Sequence, residues 1–385
     1  MEKVIRYIRT HHHQYRHELF QLVKIPSVST DPTHDKDVAT CAETLVDHLE
    51  AIGLQQVQIM STERHPVVFA EWLGAPQAPT ILIYGHYDVQ PPDPLDLWDS
   101  PPFEPEVRDG KMYARGISDD KGQLFAYVKA IEAFFQEEKT LPINVKLIFE
   151  GEEEIGSQHL HAFVKEHVEL LHADAILLSD NSLFADGIPA MCYGTRGLVH
   201  CQIDLESAKR DLHSGGFGGV AENPIQVLAA ILSALKDSDK RVAIPGFYDD
   251  VAPITEKEKQ SFEALPFDEQ ALKHEIGVLD VVGEKGFSLL ERRWTRPTLD
   301  VNGIVGGFTG EGTKTIIPAK ASAKITMRLV PYQDPEHILS AAKDYIEHLA
   351  PPTVKVSVTG GVGGKAYLTP LDHPILSLIS RAIRA

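Results

Sequence analysis

Val145-Lys146-Leu147-Ile148-Phe149-Glu150-Gly151-Glu152-Glu153-Glu154-Ile155-Gly156-Ser157 is the stretch around which the chain is organised. Its first half is short, β-branched and aromatic, which reads as a buried strand. Its second half places four carboxylates within five positions, just where that strand ends. In open α/β sheets, ligands bind in the crevice beyond the carboxyl ends of the strands. Clustered acids repel one another, so a positive partner is expected there. The two glycines and Ser157 read as a shaped turn into a helix running to about Leu171, with Ser157 as its N-cap.

Similar runs lie on either side. Thr80-Ile81-Leu82-Ile83-Tyr84 reads as a buried strand ending at Gly85-His86-Tyr87-Asp88, and Ala175-Ile176-Leu177-Leu178 as one ending at Ser179-Asp180-Asn181. Helical periodicity over residues 1–24, 38–52 and 123–137 alternates with these strands, with two further strands at 57–59 and 67–72. Strand alternating with helix predicts an α/β fold with a largely parallel sheet covered by helices. The pattern changes near Gly194. Residues 198–205 alternate like a strand with one wet face, and a helix follows from about Asn223. A charged helical region spans 255–293. Strands at 298–305, 320–330 and 353–359 accompany a helix at 334–349 that Asp334 caps. This predicts an inserted α+β domain at 194–361, with Gly360-Gly361 and Gly363-Gly364 as a hinge. The remaining catalytic part is expected at 1–193 plus 362–385.

The 385 residues favour two domains. The net charge of −18 argues against a nucleic-acid partner. Cys41, Cys192 and Cys201 form no disulfide pattern, which together with the lack of an apolar leader or membrane span points to the cytoplasm. His11-His12-His13 lies within a charged helical pattern and reads as an exposed helix face.

His86 and Asp88, residues 150–154, and Asp180 are delivered by three strand ends, and Asp119-Asp120 opens a helix. Such a cluster without a cation would cost several kcal/mol of repulsion and desolvation. Histidine and carboxylate without cysteine suit zinc, manganese or cobalt, and the excess of acids suggests two ions bridged by a carboxylate. Asp120 reads as structural and Glu152 as solvent-facing.

The runs Gly85 to Pro91, Gly116 to Gly122, the acidic turn and Ser179-Asp180-Asn181 resemble the dizinc peptidases that include carnosine dipeptidase, aminoacylase and succinyl-diaminopimelate desuccinylase. The resemblance spans the whole chain. Val89-Gln90-Pro91, Trp98 to Phe103, Asp211 to Gly215 and Arg328 to Pro331 favour the dipeptidase branch. The resemblance implies a catalytic domain carrying an inserted lid and dimerisation domain, a homodimer, two divalent ions (zinc foremost) and a small peptide substrate. It implies that His86 and Asp180 bind one metal, that Asp119 bridges, that Glu154 binds the second, that Glu153 is the general base and that Asp88 orients His86. His213 matches a histidine that crosses a dimer interface toward the oxyanion. Thr315 and Arg328 match residues holding substrate, with Arg328 on a free carboxylate. A cis Asp119–Asp120 peptide is also implied. The family's last histidine ligand has no match before Ala385, so a C-terminal truncation is expected, with the second metal site affected. Rival readings are an N-acyl-amino-acid deacylase with the same centre and a catalytically dead binding or dimerisation protein.

Overall fold

The computed structural model describes residues 1–384, which pack as two compact units, Met1–Ala190 and one beginning at Met191. The first is built on a five-stranded sheet in the order Gln55–Met60, Val67–Trp72, Asn144–Glu150, Thr80–His86, Ala175–Leu178. Only Val67–Trp72 runs against the others, so the sheet is mixed but mostly of one direction. The strand feeding the acidic turn is the central one, and every residue of it is buried. Its Val145, Leu147 and Phe149 pack with Leu22, Leu45, Leu49, Leu124 and Val128 from the helices Glu2–Val23, Asp35–Ala51 and Lys121–Glu138. Ile148 faces the other way, toward Phe163 and Leu171. Both faces are therefore covered, which explains why the strand is apolar throughout rather than alternating. Lys146 is the polar residue in its interior, and its Nζ donates to the carbonyls of Leu170 and His172 at 2.6 and 2.9 Å.

Register aligns the strand ends. His86 pairs with Glu150, and Tyr84 pairs with Leu178, so His86, Glu150 and Asp180 stand at equivalent heights at one edge of the sheet. The structure corrects the expected segment after the acidic turn. Glu153–Ile155 forms a single 3₁₀ turn, and the helix begins only at Leu160. Ser157 is not an N-cap: its φ is 47° and its hydroxyl donates to Glu150 Oε1 at 2.9 Å. The Asp119–Asp120 peptide is cis.

The second unit holds an antiparallel sheet ordered Thr298–Gly306, Lys320–Leu329, Gly197–Glu206, Lys355–Gly364. Val199, Cys201, Ile203 and Leu205 alternate inward and pack on the helices Pro224–Ala234 and Pro335–Leu349. Asn223 and Asp334 cap those helices through their side chains. The charged region resolves into three short helices, Glu256–Glu263, Glu269–Ile276 and Leu289–Trp294. The glycine run is not a hinge. Gly360 and Gly361 pair with Cys201 and His200 inside a continuous strand. A Cβ on Gly360 would lie 2.3 Å from the His200 carbonyl oxygen, so glycine permits a close strand approach there. Residues 362–384 also fall in this unit: Gly364 still pairs with Leu198, and Tyr367–Leu368 pairs with Gly194–Thr195. Ala385 lies outside the described residues. No helix among the described residues is long and apolar enough to cross a membrane.

Candidate metal centre

His86 is fully buried at its strand end. Its Nδ1 lies 3.1 Å from the Asp88 carbonyl oxygen, so the ring donates there. Nε2 then faces Asp119 Oδ1 at 3.1 Å and Asp180 Oδ2 at 3.6 Å. One donor atom from each of His86, Asp119 and Asp180 lies within 4.8 Å of the other two. Burial alone would lower the His86 pKa, but hydrogen bonds to Asp119, Asp180 and Asp88 outweigh it and hold the imidazole far above its ordinary range. The Asp119 carboxyl is lowered by its bond to His86, against the effect of burial. The pocket thus calls for positive charge at Nε2. A divalent cation meets that need with a nitrogen and carboxylate donor set suited to zinc chemistry, while Nδ1–H stays on Asp88, as metal-binding imidazoles require. The residues present therefore fit a metal ion. Buried Asp120 Oδ1, which has no hydrogen-bond partner, adds an unsatisfied acceptor next to the group.

Asp88 ties this group to the acidic turn. It is fully buried, and its two carboxylate oxygens accept from the backbone N–H groups of Glu153 and Glu154 at 3.2 and 3.1 Å. Its Oδ1 lies 3.3 Å from His86 Nδ1. Burial raises the Glu153 carboxyl to about 7; Glu154, Asp180 and Asp88 add to this and His86 opposes it. A carboxylate poised there suits general-base work near neutrality. Glu154 is also raised by burial, and Gln90 Nε2 donates to its Oε2 at 2.7 Å. The Glu154 carboxylate is not part of the three-residue group of His86, Asp119 and Asp180.

One sequence reading changes here. Glu152 does not face solvent: it is 2% exposed and accepts from the His65 backbone N–H at 2.9 Å. Its partner lies 87 residues away, so no local pattern could announce it. Asp120 is buried as a structural residue would be. Its Oδ2 accepts from the His86 N–H at 3.2 Å, and burial lifts its carboxyl to about 7. Gln90 is part of a sequence motif, but its bond to Glu154, 64 residues away, carries no local signal.

In the second unit, Leu212–His213 pairs with Ile316–Ile317 and brings His213 to Thr315. Nδ1 of His213 accepts from the Gly215 N–H at 3.0 Å, which leaves Nε2–H for Thr315 Oγ1 at 3.3 Å. Arg328 is exposed on its strand, between Thr298 and Leu198 of the neighbouring strands.

A His/Asp/Asp group of metal-ligating side chains, with His86 and Asp180 at parallel strand ends and Asp119 before a helix, has the donor set of a metallohydrolase-type centre. The chain belongs to peptidase family M20/M25/M40, which it matches over residues 82–385. It is similar to the human Beta-Ala-His dipeptidase, at 31% identity covering 100% of this chain and 79% of that protein. It is also similar to the Cys-Gly metallodipeptidase dug1 of Schizosaccharomyces pombe, at 34% identity covering 85% of this chain and 71% of that protein. The crystal structure of human carnosine dipeptidase 1 superposes with a TM-score of 0.84 at 31% identity, covering 100% of this chain and 84% of that one. The chain is thus a metallopeptidase with dipeptidase relatives over most of its length.

Proposed function

We infer that the protein hydrolyses the peptide bond of dipeptides or short peptides, with Glu153 as the general base. The observation that carries this is the convergence of His86, Asp119 and Asp180, tied through Asp88 to a turn whose Glu153 titrates near neutrality. His86 and Asp180 would hold one divalent ion, Asp119 would bridge, and Glu154 would hold a second. The donor set favours zinc and is compatible with manganese or cobalt. When bound, the ions would supply Lewis-acid polarisation of the scissile carbonyl and of the attacking water. Asp88 fixes the tautomer of His86 and the direction of the acidic turn. Glu153 takes the proton of the attacking water and then delivers it to the leaving amine. His213 and Thr315 would meet the substrate as a hydrogen-bonded pair, and Arg328 would take its free carboxylate. The dipeptidase names of the relatives favour this over the deacylase and the catalytically dead readings.

We further propose a catalytic part at 1–193, a lid and dimerisation part at 194–361, a homodimer and a cytoplasmic location. Dimer formation is supported by the edge strand Thr298–Gly306, whose Ile304 and Val305 are 61% and 71% exposed. Cysteines without disulfides fit a reducing compartment. The test compares Glu153→Gln with Glu154→Gln for metal content and dipeptide turnover. Glu153→Gln should lower kcat by about 100-fold or more while metal content stays near that of the parent. Glu154→Gln should lower metal occupancy. The reverse outcome would shift the assignment by one residue, and unchanged turnover in both would refute the mechanism.

A further inference from the structure

We propose that Glu152 is the positioning residue of the active turn: its buried carboxylate clamps the backbone of Glu153 and Glu154 to the loop at residues 61–66. The inference rests on Glu153 acting as the general base.

The acidic turn has little structure of its own. Glu153–Ile155 is one 3₁₀ turn, held locally by Ile155 N and Ser157 N on the Glu152 carbonyl at 3.2 and 2.8 Å. A single turn of this kind lacks the cooperativity of a longer helix. Its geometry must come from outside, and three carboxylates supply it from three directions. Asp88 takes the N–H groups of Glu153 and Glu154. Glu150, just before the turn, takes the hydroxyls of Tyr84 and Ser157. Glu152 reaches the opposite way. Its Oε1 accepts from the His65 N–H at 2.9 Å, with Thr62 Oγ1 at 3.2 Å, and its Oε2 lies 2.8 Å from His159 Nδ1. His159 Nε2 in turn lies 3.4 Å from Glu63, a residue of the same loop. Loop and turn are thus closed into one ring, Glu152 to His65 and Glu152 to His159 to Glu63. A second link runs alongside, from Tyr87 Oη to the Pro66 carbonyl oxygen. Gly151 lets the chain pass that tyrosine, since a Cβ there would lie 2.7 Å from the phenol oxygen.

Burying a carboxylate is costly unless donors surround it. The donors around Glu152 meet that need, and they show what it holds. Among the described residues, its carboxylate's hydrogen bonds go to the loop and to His159 and not to His86, Asp119 or Asp180. It acts on the chemistry through Glu153. A misplacement of about 1 Å in a reacting group can cost about 100-fold in rate.

The experiment has two readouts. In the metal-free protein, hydrogen exchange of residues 150–158 and 61–66 should accelerate together by about tenfold or more in Glu152→Ala, with the remaining sheet amides unchanged. In dipeptide turnover, Glu152→Ala should lower kcat by about 10- to 100-fold with KM changed by less than about threefold. Glu152→Gln keeps an acceptor for the His65 N–H, and it should recover kcat to within about threefold of the parent. In a Glu153→Gln background, Glu152→Ala should add no further loss, because both act through one group. If Glu152→Ala does not fold, His159→Ala at its partly exposed site should show the same coupling, with a loss of about three- to tenfold. Independent, multiplicative losses, an unchanged kcat, or exchange that rises throughout the sheet would overturn the inference while leaving Glu153 as base. If Glu153→Gln alone leaves kcat unchanged, the base assignment fails and the positioning role falls with it.

Discussion

Asp88→Asn tests the pin that joins His86 to the acidic turn. The parent carboxylate is fully buried and accepts from two backbone N–H groups, those of Glu153 and Glu154, at 3.2 and 3.1 Å. Asparagine keeps the shape but has one oxygen, so its amide group turns toward the second N–H. Losing one hydrogen bond to a charged group costs about 2 kcal/mol, and leaving a buried donor facing a donor costs about 2 more. The variant also loses the attraction between Asp88 and a protonated His86 ring 3.3 Å away. One anion fewer among Asp119, Asp180 and Glu153 offsets part of this, by less, because in the metal-free protein His86 between them is cationic. The net loss of about 4 kcal/mol corresponds to a Tm drop of about 10 °C for a unit the size of Met1–Ala190. Metal affinity or turnover should fall by about 10- to 100-fold, as for other groups that orient a metal-binding imidazole. The assay is thermal unfolding of the metal-free protein by circular dichroism, paired with metal titration. A Tm within about 2 °C of the parent and an unchanged metal affinity would refute the reasoning.

Three further outcomes follow from the geometry. Glu153 and Asp120 are raised from 4.5 and 3.8 to about 7 by burial, so their contribution to stability is full below those ordinary values and is lost as pH rises through about 7. The Tm of the metal-free protein should therefore fall between about pH 4 and pH 7, and Glu153→Gln should flatten the slope; calorimetry showing a rise would contradict this. Gly360→Val places a branched side chain where even a Cβ lies 2.3 Å from the His200 carbonyl oxygen. It should cost about 2–3 kcal/mol in urea unfolding, whereas a hinge glycine would tolerate the change. Lysine at both Ile304 and Val305 should abolish pairing through the exposed edge strand and yield monomers in sedimentation at about 10 μM. A monomeric parent, or a variant as dimeric as the parent, would remove the sheet edge from the proposed dimer.

The meeting of His86, Glu150 and Asp180 at one sheet edge was legible in the sequence because short apolar runs end abruptly at them. A parallel sheet places consecutive strand ends on one edge, so the residues just past those runs had to meet. The same local reasoning located most of the helices, since periodicity and caps such as Asp334 act within a few residues. Local pattern alone reads the glycines at 360–364 as freedom of the backbone, whereas in the fold Gly360 is a place where another strand comes too close for a Cβ.

What the amino-acid order determined by itself was therefore the list of elements and the chemistry carried to their ends. What only the tertiary structure decided was which distant groups hold the acids of the run 150–154. Glu150 and Glu152 are held by Tyr84 and by His65, and Asp88 fixes the backbone of the two acids that follow. Four like residues in five positions carry no local signal to tell them apart. They become distinct only when partners tens of residues away in the chain arrive with hydrogen-bond donors and give each carboxylate its own surroundings.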